Sequence, residues 1–218
     1  MRGRKQRWST GFFVQFALLL GLCMHVSLPV RAQEFDPPPP PSELPPTLAG
    51  EIHLGLVSPI RAGKLCPAHA DCIFDGGGGI GGDLEWRYSR GLGIGVGYEG
   101  FFLDGNGVYE LTVIQILRAT LRYRMLLQSL AHPYVGVGAG VAIFGDKFHY
   151  AALGGSVDFS LGVELELSHL LAARFGLGLW LGTYGSFVSV NDGVHRASSL
   201  DIAVAGTLQI GLVILEDR

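Results

Sequence analysis

The 218 residues carry 16 Lys and Arg against 19 Asp and Glu, and the net charge of −3 leaves no basic footprint for nucleic acid. Hydrophobic residues make up 48% of the chain and mean hydropathy is +0.35, high for a protein surrounded by water, yet no apolar run after residue 30 is long enough for a membrane helix. Glycine, at 33 positions, stands at roughly twice its usual share, which suits closely spaced strands better than packed helices.

In chain order, residues 1–32 read as a signal peptide. Arg2, Arg4, Lys5 and Arg7 form a positive n-region, residues 11–30 an apolar stretch, and Val30-Arg31-Ala32 a cleavage motif that would leave Gln33 first. An uncleaved signal anchor is the other reading of the same stretch. Cys23 follows Leu22, which is too large for a lipoprotein signal. Residues 33–49 are a proline-rich spacer, with Pro37 to Pro41, Pro45 and Pro46 favouring extended polyproline II.

From residue 50 to 216 the pattern is one of short strands. The first, about 51–58, points Ile52, Leu54 and Leu56 one way and His53 the other. The stretch that follows holds Cys66 and Cys72, an even pair in an exported chain and therefore a predicted disulfide. The second strand, about 79–89, sets Ile80, Leu84, Trp86 and Tyr88 against Asp83, Glu85 and Arg87. A tight turn leads to a third with Leu92, Ile94, Val96 and Tyr98 opposite glycines and Glu99.

The fourth, about 108–124, ends with Leu117, Leu121 and Tyr123 opposite Arg118, Arg122 and Arg124. Its middle breaks the alternation, with Gln115 on the aliphatic face and Ile114 and Ile116 on the inner one, and a bulge is expected there. The fifth, about 133–144, places Val135, Val137, Val141 and Ile143 against glycines. The sixth and seventh, about 157–167 and 172–183, and the eighth, about 199–215, alternate in the same way. Eight strands with alternating short and long connectors predict an all-β, eight-stranded antiparallel up-and-down transmembrane β-barrel, aliphatic outside and polar inside.

The expected inner face collects Asp83, Glu85, Glu99, Glu110, Asp158, Glu164, Glu166 and Asp201 against Arg87, Arg118, Arg122, Arg124 and Arg174. A barrel of eight strands is only wide enough for its side chains to fill. Buried charges must pair there, which predicts a plug of ion pairs. Trp86, Tyr88, Tyr98, Phe101, Phe102, Tyr109, Tyr123, Tyr134 and Phe144 are expected as interfacial girdles, whereas Trp180 falls on the inner face.

The run Pro133-Tyr134-Val135-Gly136-Val137-Gly138-Ala139-Gly140 and the arginine-rich strand before it resemble the small eight-stranded outer-membrane barrel family of the OmpA/OmpX/OmpW type. The resemblance spans about residues 49–215. It implies insertion into outer-membrane lipid by the barrel-assembly machinery of a Gram-negative bacterium, and no shared enzymatic activity. Members commonly end on an aromatic residue, and Leu215-Glu216-Asp217-Arg218 departs from that pattern.

Other motifs lose their usual meaning in this setting. Gly95-Val96-Gly97-Tyr98-Glu99-Gly100 spells a dinucleotide fingerprint but lies within a strand, without the helix the pyrophosphate needs. A lipid A-modifying hydrolase would need a serine, histidine and acid together. Ser168-His169 falls in a turn, and His149 and His195 lack such partners in sequence. His69 beside Asp71 reads as a solvated pair rather than a metal site. The expectation is a non-enzymatic barrel without cofactor or metal, structural or presenting loops 66–72 and 184–198 to an extracellular ligand. Narrow-channel transport of small or hydrophobic solutes is the alternative, and a soluble lipocalin-like barrel, aliphatic inside, is the alternative fold.

Overall fold

The computed structural model describes residues 46–147, 149–196 and 201–216; the expected signal peptide and nearly all of the spacer lie outside them. Strands β1 (Thr47–Arg61), β2 (Gly77–Arg87), β3 (Leu92–Leu103), β4 (Thr112–Arg124), β5 (Ala131–Asp146), β6 (His149–Glu166) and β7 (Leu171–Tyr184) follow one another. A small ribbon, β8 (Phe187–Val188) with β9 (His195–Arg196), precedes the long β10 (Ile202–Leu215). The eight long strands close in the order β1-β10-β7-β6-β5-β4-β3-β2. Every neighbour is antiparallel, and β1 meets β10 from Ala49↔Leu215 to Arg61↔Val204.

Closure removes the exposed edges that an open sheet of this size would present. The turns at 88–91, 125–130 and 167–170 share one end with the start of β1 and the finish of β10, called here the terminal end. The connections 62–76 and 104–111, Lys147 and the described part of the last connection, 185–196 with Asp201, share the other, the loop end. Two boundaries differ from expectation. β1 starts at Thr47, so the last three spacer residues are strand, and β5 runs to Asp146 while β6 starts at His149, so most of the expected fifth connection is strand. Ala152, Gly154 and Gly155 look like loop composition, but they pair with Phe144, Ala142 and Val141 of β5, and Ala151 is the residue skipped at the register shift.

The two faces divide as the alternation dictates. Ile52, Leu54, Leu56, Ile80, Leu84, Ile94, Val96, Leu117, Leu121, Val135, Val141, Leu161, Phe175, Ile210 and Leu212 all point outward and are exposed. An aliphatic surface that circles the barrel far exceeds the patches tolerated in water. The charged side chains are inside, so the lipocalin-like arrangement is overturned. Among the described residues no helix is long and apolar enough to cross a membrane.

Four aromatics expected in girdles are instead interior. Phe101, Tyr109, Tyr134 and Phe144 are all buried, while Trp86, Tyr88, Tyr98, Phe102 and Tyr123 are outside. β4 contains no bulge either: its register runs unbroken from Thr112 to Tyr123 against β3 and to Arg124 against β5. Ile114 and Ile116 point inward because the interior itself turns apolar at that height, and Gln115, on the outside, accepts a hydrogen bond from Tyr98 Oη at 3.1 Å. The register shifts lie at Pro59/Arg61 and Phe144/Gly145, beside the loop end.

Candidate functional site

The interior is built in two storeys. Along β4 the inward positions read Arg124, Arg122, Thr120 and Arg118, then Ile116 and Ile114. Along β3 they change from Glu99 to Phe101 and Leu103, and along β7 from Arg174 to Trp180 and Tyr184. The charged storey lies toward the terminal end, the apolar one under the loops.

In the charged storey Glu164 and Glu85 act as hubs. Arg87 donates to both oxygens of Glu164, at 2.7 and 3.1 Å, while Arg174 donates to Oε2 from Nε at 3.1 Å and Nη2 at 2.5 Å. Glu85 accepts from Arg122 at 2.5 Å and from Arg124. Arg118 donates to Glu99 at 2.7 Å and lies 3.6 Å from Asp158 and 3.8 Å from Asp83. Bidentate guanidinium–carboxylate bonds of this kind are the strong class of charge-assisted hydrogen bond.

Tyr134 fills the middle of this network. The guanidinium carbons of Arg122 and Arg174 each sit 5.4 Å from its ring centroid, within cation–π range. The barrel wall makes room for these groups with glycine. A Cβ at Gly176 would strike the Tyr134 hydroxyl, and one at Gly93 would strike the Glu85 carboxylate.

Of the residues expected inside, Asp83, Glu85, Arg87, Glu99, Arg118, Arg122, Arg124, Asp158, Glu164 and Arg174 are brought together here. Three are not: Glu110 and Asp201 lie beyond strand ends, and Glu166 is the last residue of β6. Glu110 lies in the β3–β4 connection, 74% exposed at its side chain, paired with Lys147; its carboxylate, accepting from the ammonium, holds Lys147 above the usual lysine value. Glu166 stands at the terminal rim, bonded to His132 Nε2 at 2.9 Å. Asp201 precedes β10 at the loop end, 3.7 Å from Arg61 and accepting the backbone N–H of Lys64. Glu51 and His53, both buried, belong to the storey and were not among the predicted charges. Their position opposite Ile52 and Leu54 in a period-two run was the available signal.

The apolar storey is closed by the loops themselves. Leu65, Ile73 and Phe74, from the β1–β2 connection, join Phe101, Leu103, Ile114, Ile116, Phe144, Trp180 and Tyr184 in one cluster. Ring pairs run from Phe74 to Trp180 at 6.0 Å, Trp180 to Tyr184 at 6.3 Å and Tyr184 to Phe144 at 5.3 Å, near-contact spacings for aromatic pairs. Cys66 and Cys72 form a disulfide with Cα atoms 4.2 Å apart, and Cys72 Sγ lies 3.1 Å from Phe74 O. From the last loop, Arg196 donates to Leu65 O at 2.7 Å, Asp71 O at 2.9 Å and the Asp192 carboxylate. Asn191 donates to Val108 O at 2.6 Å. The fully buried Arg196 thus ties the disulfide loop to the β8–β9 ribbon.

The motifs with catalytic overtones fall apart spatially. Ser168 Oγ accepts the N–H groups of Leu170 and Leu171 at 3.3 and 3.1 Å, forming the β6–β7 turn beside the exposed His169. His69, His149 and His195 are exposed on separate loop-end elements. The residues of the dinucleotide-like run all lie in β3, whose ladders to β2 and β4 include them.

No protein-family model matches the chain, and no curated relative does either. Solved structures do. Neisserial surface protein A superposes with a TM-score of 0.55 at 13% identity, covering 77% of this chain and 96% of that one. The outer membrane protein OprG from Pseudomonas aeruginosa gives 0.51 at 15% identity, covering 80% and 97%. At these identities the likeness is one of fold: this chain has the fold of the small eight-stranded outer-membrane β-barrels.

Proposed function

We propose that the protein is an integral outer-membrane barrel of a Gram-negative bacterium, with a structural or surface-interaction role, whose closed interior serves as a rigid mount for its loops. The observation that carries this reading is an interior filled over both storeys. Paired charges occupy the terminal half, and the aromatic cluster with the pinned loops occupies the other. The aliphatic girth supplies the lipid-facing surface, and the terminal end, with its short turns, would face the periplasm. The loop surface held by Arg196 and the disulfide would then face outward, where an extracellular ligand would meet it.

Two measurements test this. Folded protein from the membrane fraction should migrate faster on SDS gels before boiling than after. Recovery in soluble form without detergent would overturn the membrane reading. Reconstituted in a planar bilayer, the protein should show no unitary conductance; steady channels would replace the mounting role with narrow-channel transport of small solutes.

A further inference from the structure

We propose that Glu51, His53 and Asp83 form a binding site for a borderline divalent metal ion such as Zn²⁺ inside the charged storey. One oxygen or nitrogen from each lies within 4.8 Å of the others, and all three residues are buried. The backbone sets this arrangement. Glu51 and His53 are two apart on β1 and share its inner face, and Glu51 is the direct cross-strand partner of Asp83 on β2.

The histidine is the independent observation. His53 is 2% exposed, and its Nδ1 makes no hydrogen bond although it faces Glu51 Oε1 at 3.7 Å and Asp83 Oδ2 at 3.9 Å. Asp83 Oδ1 is likewise buried without a hydrogen bond. Tetrahedral zinc with bonds of about 2.0–2.2 Å holds its ligand atoms roughly 3.3–3.5 Å apart. The two separations from Nδ1 exceed that spacing by only a few tenths of an ångström, and the three ligand atoms lie within 4.8 Å of one another.

The surroundings of the ring match a metal ligand's. The other nitrogen, Nε2, is also buried without a hydrogen bond and lies 3.4 Å from Glu99 Oε1; a small approach would give the carboxylate contact that orients a ligating imidazole and fixes its tautomer. Glu99 is itself held by Arg118 at 2.7 Å and by Gln209 at 2.8 Å. Gly81, the cross-strand partner of His53, leaves the space the ring occupies; a Cβ there would collide with Nε2 and Cε1.

Charge sets the kind of ion and the strength of binding. Six carboxylates (Glu51, Asp83, Glu85, Glu99, Asp158 and Glu164) meet five guanidiniums (Arg87, Arg118, Arg122, Arg124 and Arg174), leaving one negative charge in excess with neutral histidine. Arg122 approaches Glu51 Oε2 and Asp83 Oδ2, both at 3.7 Å, so the metal shares these carboxylates with arginine. Moderate affinity follows. A nitrogen with two oxygens selects zinc, cobalt or nickel over calcium and magnesium, which take all-oxygen shells. A proton on Nδ1 competes with the metal, so binding releases protons and strengthens as pH rises.

The test uses tag-free full-length protein folded in detergent, with folding checked by heat-modifiable migration. Co²⁺ titration should produce visible d–d absorption that Zn²⁺ abolishes and Mg²⁺ does not. In folded His53→Ala that signal should fall at least tenfold in affinity, while His69→Ala should leave it intact. Glu99→Gln, which touches only the far side of the ring, should weaken it by about 10–100-fold. No Co²⁺ spectrum at millimolar metal, or an equal one in folded His53→Ala, overturns the proposal. Should the variants not fold, wild-type protein decides: Zn²⁺ must raise the gel-monitored unfolding temperature and Mg²⁺ must not, and no shift with Zn²⁺ overturns the site.

Discussion

The charged and apolar storeys fill the same barrel by opposite means. In the terminal half the strands alone supply the filling, and its order comes from directional bonds: Glu164 takes four from Arg87 and Arg174. In the loop half the strands supply only part, and Leu65, Ile73 and Phe74 descend from a connection to complete it. The difference teaches where each half is vulnerable. A salt-bridged lumen fails when one charge loses its partner, because the remaining ion stays buried in low dielectric. An apolar plug fails by losing volume and contacts, and it can be undone from the loops.

The largest expected effect lies in the charged half. Arg174→Ala leaves Glu51 with only the more distant Arg122, strips Glu164 of one of its arginines and removes one of the two cations over Tyr134. Urea unfolding in detergent, followed by gel mobility, should show a loss of about 3–5 kcal/mol. Replacing both members of a pair, as in Arg118→Met with Glu99→Leu, should cost less than Arg118→Met alone, since Glu99 is no longer left without its cation and only the longer Arg118 contacts to Asp158 and Asp83 are lost. Equal losses in the single and double variants would break the comparison, making the lumen's charges ordinary packing volume.

Phe144→Ala tests the other half. Its ring meets Tyr109, Tyr184 and Phe187 at 6.2, 5.3 and 5.7 Å, and truncation should cost about 3 kcal/mol through lost burial and the cavity left behind. A leucine at this position should recover much of that loss, which no neutral replacement of Arg174 would do.

Legibility in the sequence divides along the same line. In the charged half each inward residue contrasts with its outward neighbours, as Arg118, Arg122 and Arg124 do with Leu117, Leu121 and Tyr123, so composition reports which face is which. In the apolar half both faces are apolar, and the contrast vanishes. Phe101, Tyr109 and Phe144 therefore read as interfacial aromatics, and Ile114 and Ile116 as an irregularity calling for a bulge. Tyr134 was misplaced for another reason: its burial rests on the Arg122 and Arg174 guanidiniums, which lie on β4 and β7 and cannot be aligned with it before the barrel closes. The tie from Arg196 to Leu65 and Asp71 spans 131 and 125 residues, so no local pattern reveals it.

That tie gives a smaller effect with a distinct signature. Arg196→Ala removes a buried cation's bonds to two carbonyls and to Asp192, worth about 2 kcal/mol locally. Hydrogen exchange and protease cleavage should rise in 62–76 and 185–196, with the barrel's urea midpoint nearly unchanged. Reducing the Cys66–Cys72 disulfide should loosen the first of these segments alone, with about 2 kcal/mol from loop entropy. If either change lowers the barrel midpoint as far as Phe144→Ala does, the loops are part of the barrel's cooperative unit rather than a cap on it.

The smallest expected effect separates true lumen charge from charge that only continues its pattern. Glu110 and Glu164 both looked inward from sequence, yet the first is solvated beside Lys147 and the second is buried among three arginines. Glu110→Gln should leave the urea midpoint unchanged within error, because an exposed pair exchanges its bonds with water and is screened by salt. Glu164→Gln should shift it markedly, since Arg87, Arg124 and Arg174 then lose a shared counter-ion. Raising the salt concentration should weaken any residual effect at residue 110 and barely touch that at residue 164. A common response from the two substitutions would mean that the lumen is as wet as the loops, and the two-storey filling would lose its charged half.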